Sequence, residues 1–166
     1  MNESSLANVI GHAVLIGAGA TLGIDLWALL LRRALGVASL DYCMLGRWVL
    51  HMPRGRFVHA GIAKSPAMPF ECAAGWSAHY GIGIAFALTF LLVAPSGWLA
   101  RPTLLPALVF GVATVLVPFF TLQPAFGLGI AASRTPSPWK ARLKSLGTHA
   151  VFGAGLWGWG LLLSRV

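Results

Sequence analysis

The hydrophobic positions of this chain fall in long uninterrupted runs, without the alternation of a half-buried strand. Crossing about 30 Å of hydrocarbon takes roughly 20 mostly apolar helical residues. Four segments qualify, 7–31, 76–94, 104–122 and 146–163. The last three are short, yet each crosses without tilt at about 1.5 Å per residue. An outer-membrane barrel is excluded, because its strands would alternate. The expected fold is therefore all-α: a four-transmembrane-helix bundle forming one integral membrane domain over 1–166, with loops at 32–75 and 123–145.

In the long first loop the pattern changes. Met44, Leu45, Trp48, Val49 and Met52 recur at helical spacing, while Arg47 and His51 fall on another face. Asp41 suits the N-cap and Pro53 the end. This predicts an amphipathic helix, either lying in the membrane interface with Trp48 at headgroup level or packed over the mouth of the bundle. A basic turn, Pro53-Arg54-Gly55-Arg56, and His59 follow; a lipid-facing turn is favoured there over an anion site. Pro69 can open an extended second helix, placing Glu71 in its first turn, where a carboxylate meets the helix dipole favourably. After the third span, the glycine- and proline-rich stretch from Gln123 to Pro136 reads as a tight turn and a short interfacial helix anchored by Trp139. A re-entrant segment is the less favoured reading.

Composition agrees with a lipid solvent. Apolar residues make up 57% and charged residues 10%, where soluble domains carry about 25% charged. Disorder, a disulfide-stapled secreted module and a collagen-like rod are excluded. The net charge of +8 is arranged as 0, 6, 1, 4 and 1 Lys and Arg in successive non-spanning segments. The two basic loops should be cytoplasmic and both termini periplasmic. Anionic lipid headgroups suit such loops, whereas no aromatic-interleaved basic domain speaks for nucleic acid. The first run lacks a cationic stretch before it and is expected to stay as an uncleaved anchor. Cys43 and Cys72 share the first loop, on the reducing side in this orientation, so a structural disulfide is not expected. They form no metal motif.

Ionisable groups within spans cost free energy and mark function by default. Here they are His12, Asp25, His79 and His149, with Gln123 just beyond the third span. At 1.5 Å per residue, Asp25 lies about 9 Å and both His79 and His149 about 4.5 Å inside their cytoplasmic ends. The four helices thus offer Asp25, His79, Gln123 and His149 to one cytoplasmic third of the bundle. Ala7, Gly11, Val14, Ala18, Thr21 and Asp25 recur as one helical stripe of mostly small residues, which reads as a packing seam. Gly19 and Gly23 lie on a second face that serves a homodimer or the fourth helix. His79 and His149 are each followed, four residues on, by a glycine that makes room for a flat ring or a partner backbone.

Three uses of the cluster compete. The first is a structural hydrogen-bond network and scaffold. The second is a proton-linked or small-solute transport site with Asp25 as the titrating group, supported by Pro106, Pro118 and Pro124 as sources of a broken helix. The third is a redox centre with haem held by His79 and His149, or a metal held by these and Asp25. Transport is the leading expectation, and an oligomer fits so small a transporter; no cofactor is assigned. Secondary candidates are Glu71, Arg47, His59 and Arg134. Gly17-Ala18-Gly19-Ala20-Thr21-Leu22-Gly23 mimics a dinucleotide loop, but it lies mid-membrane with wrong spacing and no strand before it. No Gly-x-Ser-x-Gly or HExxH occurs, and nothing marks a hydrolase.

Leu45-Gly46-Arg47-Trp48, Glu71 with Gly75-Trp76 and His79-Tyr80, Gln123-Pro124, Gly127 to Pro136 and His149 together resemble a bacterial family of small inner-membrane proteins. That family carries only a domain-of-unknown-function label. The resemblance covers nearly the whole chain. It implies a four-span protein of the bacterial inner membrane and supplies no activity.

Overall fold

The structure is a computed structural model that describes residues 3–165, with side chains described from Ala7 onward. Met1, Asn2 and Val166, the ends of the expected periplasmic termini, lie outside the described residues. The described residues contain helices and no strand: α1 (Glu3–Leu35), α2 (Tyr42–His51), α3 (Glu71–Val93), α4 (Leu104–Ala113), a π-helical turn (Pro118–Leu122), the short α5 (Gln123–Ala125) and α6 (Pro138–Leu163). Four stretches are long and apolar enough to cross a membrane: Ala7–Leu35, Glu71–Val93, Leu104–Ala125 and Pro138–Leu163. All four predicted spans are present, but the helices outrun the apolar runs. Phe70 adopts a left-handed φ of 61°, so α3 begins at Glu71 and Pro69 is not its first residue. Helix α6 begins at Pro138, and Trp139 and Lys140 belong to its first turn; the only helical piece between α5 and α6 is a 3-10 turn at Ile130–Ala132, which does not contain Trp139. Long basic side chains extend a helix beyond hydrocarbon because their heads stay in the polar region.

The chain divides into two compact units. The first comprises Met1–Ala38, Tyr80–Thr114 and Gly147–Val166. Its core joins all four spanning helices through Ile16 and Ala20 of α1, Ala87 and Phe90 of α3, Ala107 of α4, and Phe152 and Leu156 of α6. Trp98, in the 94–103 connection, closes one end: its ring meets Phe90 edge-on at 4.7 Å, and Nε1 donates to the Thr103 carbonyl at 3.1 Å. Small residues set the helix contacts. A Cβ at Gly17 would strike the backbone of Gly83 and Ile84, and one at Gly153 would strike the backbone of Ala107 and Leu108.

The seam of α1 differs from the predicted stripe. Gly11 and Val14 are exposed, whereas Ala13, Ile16, Gly17, Ala20 and Thr21 are buried. The predicted stripe rests on small size alone, but the neighbours present Gly83 to Gly17 and Gly155 to Ala20, which turns the helix to a different face. Gly19 receives the indole of Trp159, so the fourth helix, and not a second copy, occupies that position. The glycines after the two histidines admit a backbone: Gly83 lies against Thr21 and the Gly17 carbonyl, and Gly153 against α4.

The second unit comprises Ser39–His79 and Val115–Leu146. Asp41 caps α2 as expected, its Oδ1 accepting from the Cys43 amide at 2.9 Å. Leu45 of α2 forms a core with Ile62, Ala125 and Phe126. The loop after α2 is tied to the 125–127 turn by His59 N–H donating to the Ala125 carbonyl at 2.8 Å and Ile62 N–H to the Phe126 carbonyl at 3.1 Å. Gly127, with φ of 85°, lies against the Ala60 carbonyl, where a side chain would collide. Two carbonyls of this stretch, Ala125 and Phe126, are therefore engaged by the first loop, and those of Gln123, Pro124 and Leu128 by amides of the stretch itself.

Candidate functional site

In the first unit, Asp25 and His149 each meet a hydroxyl. Tyr80 Oη donates to Asp25 Oδ2 at 3.0 Å. Sequence reasoning passed over Tyr80 as a partner, although it lies one residue beyond a chosen histidine. Thr114, also missed, is buried at the end of α4. Its hydroxyl donates to the Gly111 carbonyl at 2.6 Å and lies 2.7 Å from His149 Nδ1. A hydroxyl has one proton to give. With that proton on Gly111, Nδ1 of His149 must be the donor. His12 stands apart, with Nδ1 2.7 Å from the Asn8 carbonyl.

The α-helical ladder of the third apolar segment is interrupted here: α4 runs to Ala113, Thr114 and Val115 form a turn, Leu116 and Val117 are helical again, and a π-helical turn follows at Pro118–Leu122. Pro118 has no N–H to continue an α-helical ladder, and its ring crowds the preceding turn. π turns inside helices recur at functional sites.

In the second unit, α2 crosses the start of α3 at van der Waals distance. Gly46 lies against the Glu71 carbonyl and Gly75 against the Tyr42 carbonyl, and neither position has room for a Cβ. This close approach brings four kinds of contact together. Arg47 forms a two-pronged ion pair with Glu71, Nε to Oε2 at 2.8 Å and Nη2 to Oε1 at 2.7 Å. Arg47 Nη1 also reaches the carbonyls of Ile62, Ala63 and Ser65 at 3.1–3.4 Å. Tyr42 stacks on His79 at 4.0 Å between ring centroids and meets Trp76 edge-on at 4.7 Å. Cys43 and Cys72 are joined by a disulfide.

Two expectations are corrected here. A disulfide is not expected on the reducing side of the membrane, yet the glycine pair seats the two cysteines side by side and they are bonded. Glu71 needs more than the helix dipole to explain it: it binds Arg47 and also accepts the Met68 amide at 2.8 Å. Its carboxylate is in turn the main reason that the Arg47 guanidinium holds its proton above the usual range.

The remaining candidates scatter. Gln123 Nε2 lies 3.5 Å from Ser145 Oγ, and its Oε1 is buried without a hydrogen-bond partner. His59 is buried with Nδ1 2.8 Å from Ser65 Oγ, so it belongs to the interior and not to a lipid-facing turn. Burial first, and then the nearby His51, hold its imidazole below the usual value of 6.5. His51, assigned by pattern to the polar face of α2, is 2% exposed and packs edge-on against His59 with ring centroids 5.2 Å apart. Arg134 is exposed. Among the described residues no group of three or more His, Cys, Asp or Glu is placed to hold a metal ion.

These features define an all-helical membrane protein with four helices of spanning length. Residues 14–163 match the family described as "Protein of unknown function (DUF2938)", and the chain belongs to that family. No curated protein and no solved structure matches it.

Proposed function

We propose that the protein passes protons or a small proton-coupled solute across the bacterial inner membrane, with Asp25 as the titrating group. The observation that carries this reading is the break in the third apolar segment. An interrupted helix within a span frees backbone carbonyls that must be satisfied by side chains or by what passes, and broken helices are how many transporters build such sites. At this break Thr114 already takes the Gly111 carbonyl and presents its hydroxyl to His149. In the same unit, Asp25 holds the Tyr80 hydroxyl, a contact that lasts while the carboxylate is charged and weakens on protonation. His79 and Gln123, both in the second unit, are proposed as polar contacts for a solute there. The basic loops are proposed to face the cytoplasm and to hold anionic headgroups, and a homo-oligomer is proposed because four spans make a small transporter.

The test is proton entry into proteoliposomes loaded with a pH-sensitive dye and driven by a potassium diffusion potential. Wild-type protein is expected to acidify the lumen at a pH-dependent rate, and Asp25→Asn to fall to the protein-free leak. An Asp25→Asn protein that folds and acidifies like wild type would overturn the reading.

A further inference from the structure

The crossing of α2 and α3 is fastened more than once. The glycine pair at Gly46 and Gly75, the Arg47–Glu71 ion pair and the stacking of Tyr42 on His79 all hold it. The Cys43–Cys72 disulfide is added to a contact that already stands. A staple matters most where nothing else keeps the two segments together. Here opening the bond leaves the two thiols adjacent, which is what reversible disulfide chemistry requires.

Each cysteine is the second residue of its helix, Cys43 in α2 and Cys72 in α3. Free amides and the helix dipole at an N-terminus stabilise a thiolate, and thiolate character controls cysteine reactivity. The two are not equivalent. The carboxylate of Asp41 occupies the Cys43 amide, which opposes a thiolate there. The carboxylate beside Cys72, Glu71, is instead paired with Arg47. Cys72 is also exposed, whereas Cys43 is half-buried. Exposure and electrostatics therefore select the same sulfur.

We propose that Cys43 and Cys72 form a reversible two-electron thiol–disulfide centre that takes electrons from a dithiol, with Cys72 as the exchanging sulfur and Cys43 as the resolving one. One thiolate of the donor attacks Cys72 Sγ, the Cys43–Cys72 bond breaks, and Cys43 leaves as a thiolate. The donor's second thiol then attacks its own sulfur in the mixed disulfide and releases Cys72. The donor departs as a disulfide, and its two protons end on Cys43 and Cys72. In the reverse direction the Cys72 thiolate attacks, and Cys43 resolves.

Full-length protein in mild detergent is equilibrated with graded ratios of reduced and oxidised dithiothreitol, and free thiols are counted by maleimide mass-tagging beside circular dichroism. The expected result is complete, reversible reduction with an unchanged helical spectrum. In a second measurement at pH 7, Cys72 in Cys43→Ser is expected to alkylate about threefold faster than Cys43 in Cys72→Ser, since a larger thiolate fraction is partly offset by the lower nucleophilicity of a more stabilised thiolate. Reduction that occurs only as the helical signal is lost would make the bond a structural staple and overturn the proposal. So would a Cys72 no faster than Cys43. Because the wild-type titration needs no substitution, a variant that fails to fold does not rescue the idea.

Discussion

The most consequential single residues are those whose partners lie far away in sequence. Arg47 and Glu71 are 24 positions apart and share two short charge-assisted bonds, a geometry that a lysine could not reproduce. His59 makes a testable case for pH. Its proton affinity is lowered in the folded protein, so on acidification the unfolded chain takes up a proton, near pH 6.5, before the folded one does. Stability from this group is complete above that value and declines as pH falls toward the folded pKa. In denaturing-detergent titrations between pH 7.5 and 5, wild type should lose stability more steeply than His59→Gln. Equal slopes would remove His59 as a source. The sequence showed a histidine after a basic turn; its burial depends on Ser65 and His51, which only the fold brings to it.

At the scale of elements, glycine decides where helices meet. Gly46 and Gly81 both sit within helices, yet their surroundings differ completely. A Cβ at Gly46 would collide with the Glu71 carbonyl, while one at Gly81 would meet nothing within 4 Å. Gly46→Ala should therefore cost about 1–3 kcal/mol by forcing α2 from α3. Gly81→Ala should be neutral or gain up to about 1 kcal/mol from helix propensity. Unfolding free energies measured side by side check the contrast, and two equal values would contradict it. Helix existence was legible from apolar length, and the start and end of α2 from Asp41 and Pro53. The facing side of α1 was not, because small residues occur on more than one stripe and the choice belongs to Gly83, Gly155 and Trp159 on other helices.

At the scale of the whole molecule, the basic loops predict an orientation. Alkaline phosphatase fused after Val166 should be active, and a fluorescent protein fused there dark, with the pattern reversed for fusions within 123–145. The opposite pattern would place the basic loops outside. Four spans, their order and their apolar character follow from the sequence alone, because a segment long and apolar enough to cross lipid must satisfy its backbone internally, whatever it packs against. A short ionisable inventory follows too, since every charge in a span stands out against hydrocarbon. Only the tertiary structure paired Asp25 with Tyr80 and His149 with Thr114, buried His51 and joined Cys43 to Cys72. Each of these depends on how closely two distant backbones approach and at what rotation. That is set by the fit of glycines and rings on separate helices, a property no local pattern carries.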